Sequence, residues 1–174
     1  MTISPAQRKK LKIAEILAFI IACILGVLFH FVYEWTGRQR FVGFWAPVNE
    51  SVWEHLKLIF YPIALVSVAE YFLLGFHPVN YMCIKFRSIL IGMSSVIVIF
   101  YTYTGIWGGI IEWANIAVYF IAMAIAYICS YKHLLHPETV SAKPQWCIIG
   151  FAAIAILFMI FSVYPPAIGL FLPA

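Results

Sequence analysis

The chain has 174 residues, 64% of them hydrophobic and only 10% charged, with a mean hydropathy of +0.97. That leaves too little polar surface to cover a soluble globule. The formal net charge of +4 comes from basic residues at the ends of apolar runs, with no soluble segment interleaving them with exposed aromatics, which excludes a nucleic-acid-binding module.

Apolar runs that reach the ~20 residues needed to cross a bilayer occupy about 11–33, 55–75, 84–105, 113–131 and 145–164. They are continuous, whereas a lipid-facing barrel strand alternates over ~10 residues, so helices are expected. The expected fold is all-α, a polytopic membrane helical bundle of about five transmembrane helices. One domain covers 1–174, with an outer loop at 34–53 and no connection long enough to hide a soluble unit.

Lysine and arginine placement sets the orientation. Arg8, Lys9, Lys10, Lys12, Lys85, Arg87, Lys132 and Lys143 fall on one side, against Arg38, Arg40 and Lys57 on the other. This excess of eight over three predicts a cytoplasmic N-terminus and an outer C-terminus. The first run exceeds the ~7–15-residue core of a cleavable signal and ends in large residues, so it reads as a retained signal-anchor helix.

Near the outer end of the first span, His30 and Glu34 stand four apart and share a helical face. The following loop is apolar, with Phe41, Phe44 and Trp45, and is expected to fold over the bundle as a lid. Then comes the most polar stretch, Pro47-Val48-Asn49-Glu50-Ser51-Val52-Trp53-Glu54-His55-Leu56-Lys57. Ser51-x-x-Glu54 matches a capping box, and Asn49 is a second cap candidate with Glu50 in the first turn. Capping alone explains those four residues but not His55 or Lys57.

Consecutive antiparallel spans bring His30 and Glu34 toward Glu50, Glu54 and His55. His30, Glu34, Glu54 and His55 offer the ligand types for zinc, iron or manganese. They equally suit a general acid or base, while haem between the two histidines is disfavoured. Neither HExxH nor ExxH occurs. Asn49, Lys57, Tyr61, Tyr101 and Tyr103 are expected to extend this ligand-binding pocket, together with Glu112 and Asn115. Pro62 is positioned to kink the second span.

At the cytoplasmic end, Glu70 is expected to form a structural ion pair with Arg87. Glu54 and Glu70 are sixteen residues apart, ~24 Å along a helix, and belong to different sites. His77, His133 and His136 fall in cytoplasmic connections as solvated groups. Cys23 and Cys129 lie within spans, and Cys83 and Cys147 open spans on the cytoplasmic side. None is in CxxC spacing, so all four read as packed thiols.

Phe29-His30-Phe31-Val32-Tyr33-Glu34-Trp35-Thr36-Gly37, the Pro47–Lys57 motif, Tyr101-Thr102-Tyr103-Thr104-Gly105 and Tyr164-Pro165-Pro166 together resemble a family of small bacterial integral membrane proteins known as a domain of unknown function. The resemblance spans nearly the whole chain. It implies a multi-pass protein of the bacterial cytoplasmic membrane and supports the outer polar cluster as the family's site, without an activity. Members continue past Tyr-Pro-Pro with an acidic Asp-Pro element, where this chain has Gly169-Leu170-Phe171-Leu172-Pro173-Ala174.

Three functions fit the residues. The first is binding or transport of a small molecule or lipid through the outer polar pocket. The second is an intramembrane, metal-dependent enzyme acting on a lipid-like substrate. The third is an accessory subunit meeting a membrane partner or a second copy of itself. Five spans cannot divide into two equal repeats, so transport would call for oligomerisation or partners. An enzyme would lack both a nucleophile motif and any aspartate.

Overall fold

A computed structural model describes residues 4–76, 78–140 and 142–173, so the expectation for His77 lies outside the described residues. Five helices carry the fold: α1 (Pro5–Trp35), α2 (Val52–Leu74), α3 (Tyr81–Trp107), α4 (Glu112–Leu135) and α5 (Pro144–Val163). Each is long and apolar enough to cross a membrane, and no strand occurs among the described residues. The architecture is the expected all-helical bundle.

Local chemistry sets the helix ends. Ser4 and Gln7 cap α1 reciprocally, with Pro5 at the first helical position, where no amide hydrogen is missed. The Ser51 hydroxyl accepts from the Glu54 amide at the start of α2. Gly75 ends that helix at φ 66°, a left-handed conformation that suits a residue without a β-carbon. There the Lys10 ammonium reaches the Leu74 carbonyl, placing a cation at the negative end of α2.

Helix α1 packs on α2, α2 on α3, α3 on α4, and α4 back on α1. This closes a four-helix bundle, with α5 outside it against α3 and α2. Within their apolar windows, 61% of α2 is buried but only 11% of α5, so α2 is the central span and α5 the peripheral one. Ile13, Ile20, Ile116, Ile128, Ile148 and Ile160 are exposed on the outer helix faces. That pattern is consistent with a multi-pass membrane protein whose outer faces meet lipid.

Two expectations are corrected. Cys83 and Cys147 are not free thiols but a disulfide joining the starts of α3 and α5, with α-carbons 5.2 Å apart. Helix pairing brings them together across 64 residues, which spacing along the chain cannot reveal. Glu70 pairs with Lys85 rather than Arg87: its Oε2 lies 2.6 Å from Lys85 Nζ, whereas Arg87 is exposed. Positions 85 and 87 are about 200° apart around a helix, and position 85 is the one facing the bundle interior.

Candidate functional site

The end of the bundle remote from the N-terminus carries the α1–α2 and α3–α4 connections. There His30, near the end of α1, faces His55 in the first turn of α2, with ring centroids 5.4 Å apart. Glu50, just ahead of α2, places a carboxylate oxygen 3.3 Å from His55 Nε2. One donor atom from each of His30, Glu50 and His55 lies within 4.8 Å of the other two.

Hydrogen bonding fixes how these groups present themselves. His55 Nδ1 is 2.9 Å from the Ser51 carbonyl, which only accepts, so Nδ1 carries a proton and Nε2 is turned to Glu50. His30 Nδ1 is buried without a hydrogen-bond partner among the described residues. The hydrogen bond from His55 holds the Glu50 carboxyl below its ordinary range, against its partial burial, and the charges of both imidazoles act the same way. Two imidazoles and a carboxylate, one imidazole oriented through its second nitrogen, form a donor set suited to a divalent transition metal or a polar head group.

These groups line one end of a cavity of about 740 Å³ enclosed by α1 to α4. Glu112 and Asn115 join them, and Asn115 accepts a hydrogen bond from Tyr103. The rest of the wall is largely apolar, and its Val27 and Phe31 from α1 and Ile116 from α4 are exposed. Deeper in, Gly26 allows a close approach: a β-carbon there would lie 2.0 Å from the Tyr119 hydroxyl and 2.9 Å from the Leu58 carbonyl. Pro62 has no N–H for that carbonyl, which leaves a backbone acceptor at the cavity wall.

Glu54 faces the other way. Its carboxylate is 1% exposed and meets Lys57 Nζ at 2.6 Å, the Ser162 hydroxyl of α5 at 2.8 Å and the Val48 amide at 2.9 Å. Lys57, fully buried, also donates to the Gly43 and Ala46 carbonyls at 2.7 and 3.3 Å. Tyr61 donates to the Phe44 carbonyl at 3.1 Å and packs on Trp45. One anion balances one cation, so this second cluster is a closed clamp that pins the α1–α2 connection and α5 onto α2.

A family model described as a family of unknown function (DUF6512) matches residues 2–174. The chain belongs to this family. No curated protein and no solved structure matches it significantly.

In this DUF6512 member the residues expected to form one outer site are divided between two. His30, Glu50 and His55 converge in the cavity, while Glu54, Lys57 and Tyr61 form the clamp. Of the expected metal set, His30 and His55 meet, but Glu34 is exposed and bridged to Arg38 at 3.0 Å, and Glu54 is consumed by Lys57. The third potential donor is Glu50 instead. Asn49 accepts from the Ser51 amide in the turn before α2, and neither it nor Tyr101 lines the cavity. The aromatic loop from Phe41 to Trp45 covers the clamp rather than the histidines. Ser162, Gly26 and Tyr119 escaped the sequence reading. Gly26 was the detectable one, since a glycine within an apolar span marks close helix approach.

Proposed function

We propose that the protein binds a small amphiphilic or lipid molecule in the α1–α4 cavity. The polar head would meet His30, Glu50 and His55, and the apolar part would lie along Val27, Val96 and Ile116. The observation carrying this reading is the polarity gradient of the cavity: about 740 Å³, with its ionisable groups gathered at one end and exposed apolar residues of α1 and α4 along its side, which we read as a lateral mouth. Small-molecule sites of ~300–1,000 Å³ are typically apolar with a few convergent polar groups. The basic-residue imbalance supports placing this end on the outer face of a bacterial cytoplasmic membrane. Lys57 and Lys85 are buried ion-pair partners rather than loop charges, and discounting both leaves the imbalance intact.

One observation favours a second reading, a metal-dependent enzyme acting on such a ligand. The donor atoms of His30, Glu50 and His55 are close enough to share one ion, and His30 Nδ1 is unclaimed. Mass spectrometry of lipids retained by the purified protein, with parallel elemental analysis, tests both readings. Val27→Trp should block the mouth and remove the retained lipid, and His55→Ala should weaken it. An unchanged lipid load in both variants overturns the binding reading. A stoichiometric metal lost in His30→Ala and Glu50→Gln establishes the ion.

A further inference from the structure

A second polar centre lies inside the opposite half of the four-helix bundle, and every helix of the bundle contributes to it. Lys85 of α3 sits 2.5 Å from Glu15 Oε1 of α1 and 2.6 Å from Glu70 Oε2 of α2. Ser130 of α4 donates to Glu15 Oε1 at 2.9 Å. Lys85 is fully buried and both glutamates are 4% exposed. The lysine ammonium also lies 5.4 Å from the ring centroids of Tyr81 and Tyr127. No bulk solvent screens these charges.

Two carboxylates against one ammonium leave an excess of one negative charge where an unbalanced charge is strongly disfavoured. Four oxygens around the cluster are also buried without any hydrogen-bond partner among the described residues: Glu15 Oε2, Glu70 Oε1, Ser67 Oγ and the Tyr127 hydroxyl. Buried polar atoms are rarely left so. A third sign is the Tyr81 hydroxyl, which lies 2.9 Å from the Ser67 carbonyl and 3.0 Å from Glu70 Oε2. It has one proton for two acceptors. A proton on Glu70 would let that carboxyl donate to Tyr81 while Tyr81 donates to Ser67.

We propose that Glu15, Glu70 and Lys85 form a proton-binding site, in which the two carboxyl groups share one exchangeable proton in the resting state. The bound proton brings the cluster to neutrality and lets a carboxyl donate where the Tyr81 hydroxyl has one proton for two acceptors. Among the described residues, the titratable groups facing it are Glu15 from α1, Glu70 from α2, Tyr81 and Lys85 from α3, and Tyr127 from α4, with Tyr71 of α2 packed on Tyr81. Cys23 and Tyr119 are the next ones toward Tyr127. The site is ~22 Å along the helices from the histidine cavity, since Glu15 and His30, like Glu70 and His55, are fifteen residues apart. It is therefore separate from the proposed ligand site.

Infrared spectroscopy of the full-length protein in liposomes reads this directly, through the carboxylic C=O stretch of a protonated carboxyl. The chain has no aspartate, and of its other glutamates Glu34, Glu50, Glu112 and Glu138 are exposed while Glu54 is paired with Lys57. A carboxylic band at neutral pH therefore reports this pair. The expected result is one such band, falling tenfold per pH unit once the proton leaves, and absent in both Glu15→Gln and Glu70→Gln. In either variant one carboxylate faces one ammonium, so no proton is needed. A wild-type spectrum without the band between about pH 6 and 8 overturns the proposal even if the variants do not fold. A band that persists undiminished in either variant also overturns it. Loss of the band on adding sodium at constant ionic strength would instead make this a cation site.

Discussion

Glu54 and His55 are consecutive residues that serve opposite sides of α2. The Glu54 carboxylate ends against Lys57 and Ser162, and the His55 ring ends against Glu50 beside His30. Neighbours on a helix point about 100° apart, so one polar motif feeds two compartments. One is a closed ion-pair cluster and the other lines the α1–α4 cavity.

The clamp should be a stability element. Lys57→Met leaves the Glu54 charge buried and unpaired, and breaking one side of a buried pair costs about 3–5 kcal/mol. Thermal unfolding in detergent should show this as a large fall in Tm. The double replacement Glu54→Gln with Lys57→Met should cost less than Lys57→Met alone, because it leaves no orphan charge. A Lys57→Met protein as stable as the parent would remove the clamp from this account.

Gly26→Ala tests the close approach at the cavity. Its β-carbon would meet the Tyr119 hydroxyl at 2.0 Å and the Leu58 carbonyl at 2.9 Å. The tyrosine can swing away, but the α2 backbone cannot, so a loss of about 1–3 kcal/mol is expected, as for overpacked cores. Adding Tyr119→Phe should restore only part of it. Full rescue would mean that α2 does not approach as closely as described.

Helix number and class were legible because lipid exposure forces long, continuous apolar runs, and five of them were visible. The polar motif was legible too, because ionisable residues stand out against so apolar a chain. The division of that motif was not, since it depends on helical phase and on Ser162, over a hundred residues away. Glu70 with Lys85 and Cys83 with Cys147 were hidden for the same reason: each pair is set by which face of α3 turns inward. The i, i+4 pairing of His30 with Glu34 misled, because Arg38 at the next i+4 position claims Glu34 in solvent.

The Glu50–His55 contact should contribute a small, pH-dependent stability. A carboxyl held below its ordinary range stabilises the fold above the unfolded value of about 4.3 and loses that contribution as pH falls through the folded value. The Glu50 side chain is 68% exposed, so the effect should be that of a surface pair, about 0.2–1 kcal/mol. Unfolding curves of the parent and Glu50→Gln should differ slightly at pH 6 and converge as the pH falls below the folded value of the Glu50 carboxyl. A gap that widens on acidification would show that His55 is not what Glu50 meets in the folded protein.

The Cys83–Cys147 bond and the basic residues make a joint prediction about orientation. The positive-inside rule predicts that the disulfide end faces the cytoplasm, where thiols are ordinarily kept reduced. Exchange requires access, however, and Cys83 and Cys147 are only 2% and 6% exposed. The bond should therefore persist at that end until the protein unfolds, and it ties down α5, the least enclosed span. Loop closure across 64 residues corresponds to about 4 kcal/mol, an upper figure where a bilayer already confines both helices. In intact cells, an impermeant thiol reagent should label Gln39→Cys and not Thr139→Cys. Thiol trapping before lysis should find Cys83 and Cys147 still joined, and Cys147→Ser should lower Tm. Labelling of both positions from one side would contradict the three spans, α2 to α4, that separate them. Labelling of Thr139→Cys alone would invert the bundle and put the disulfide on the oxidising side.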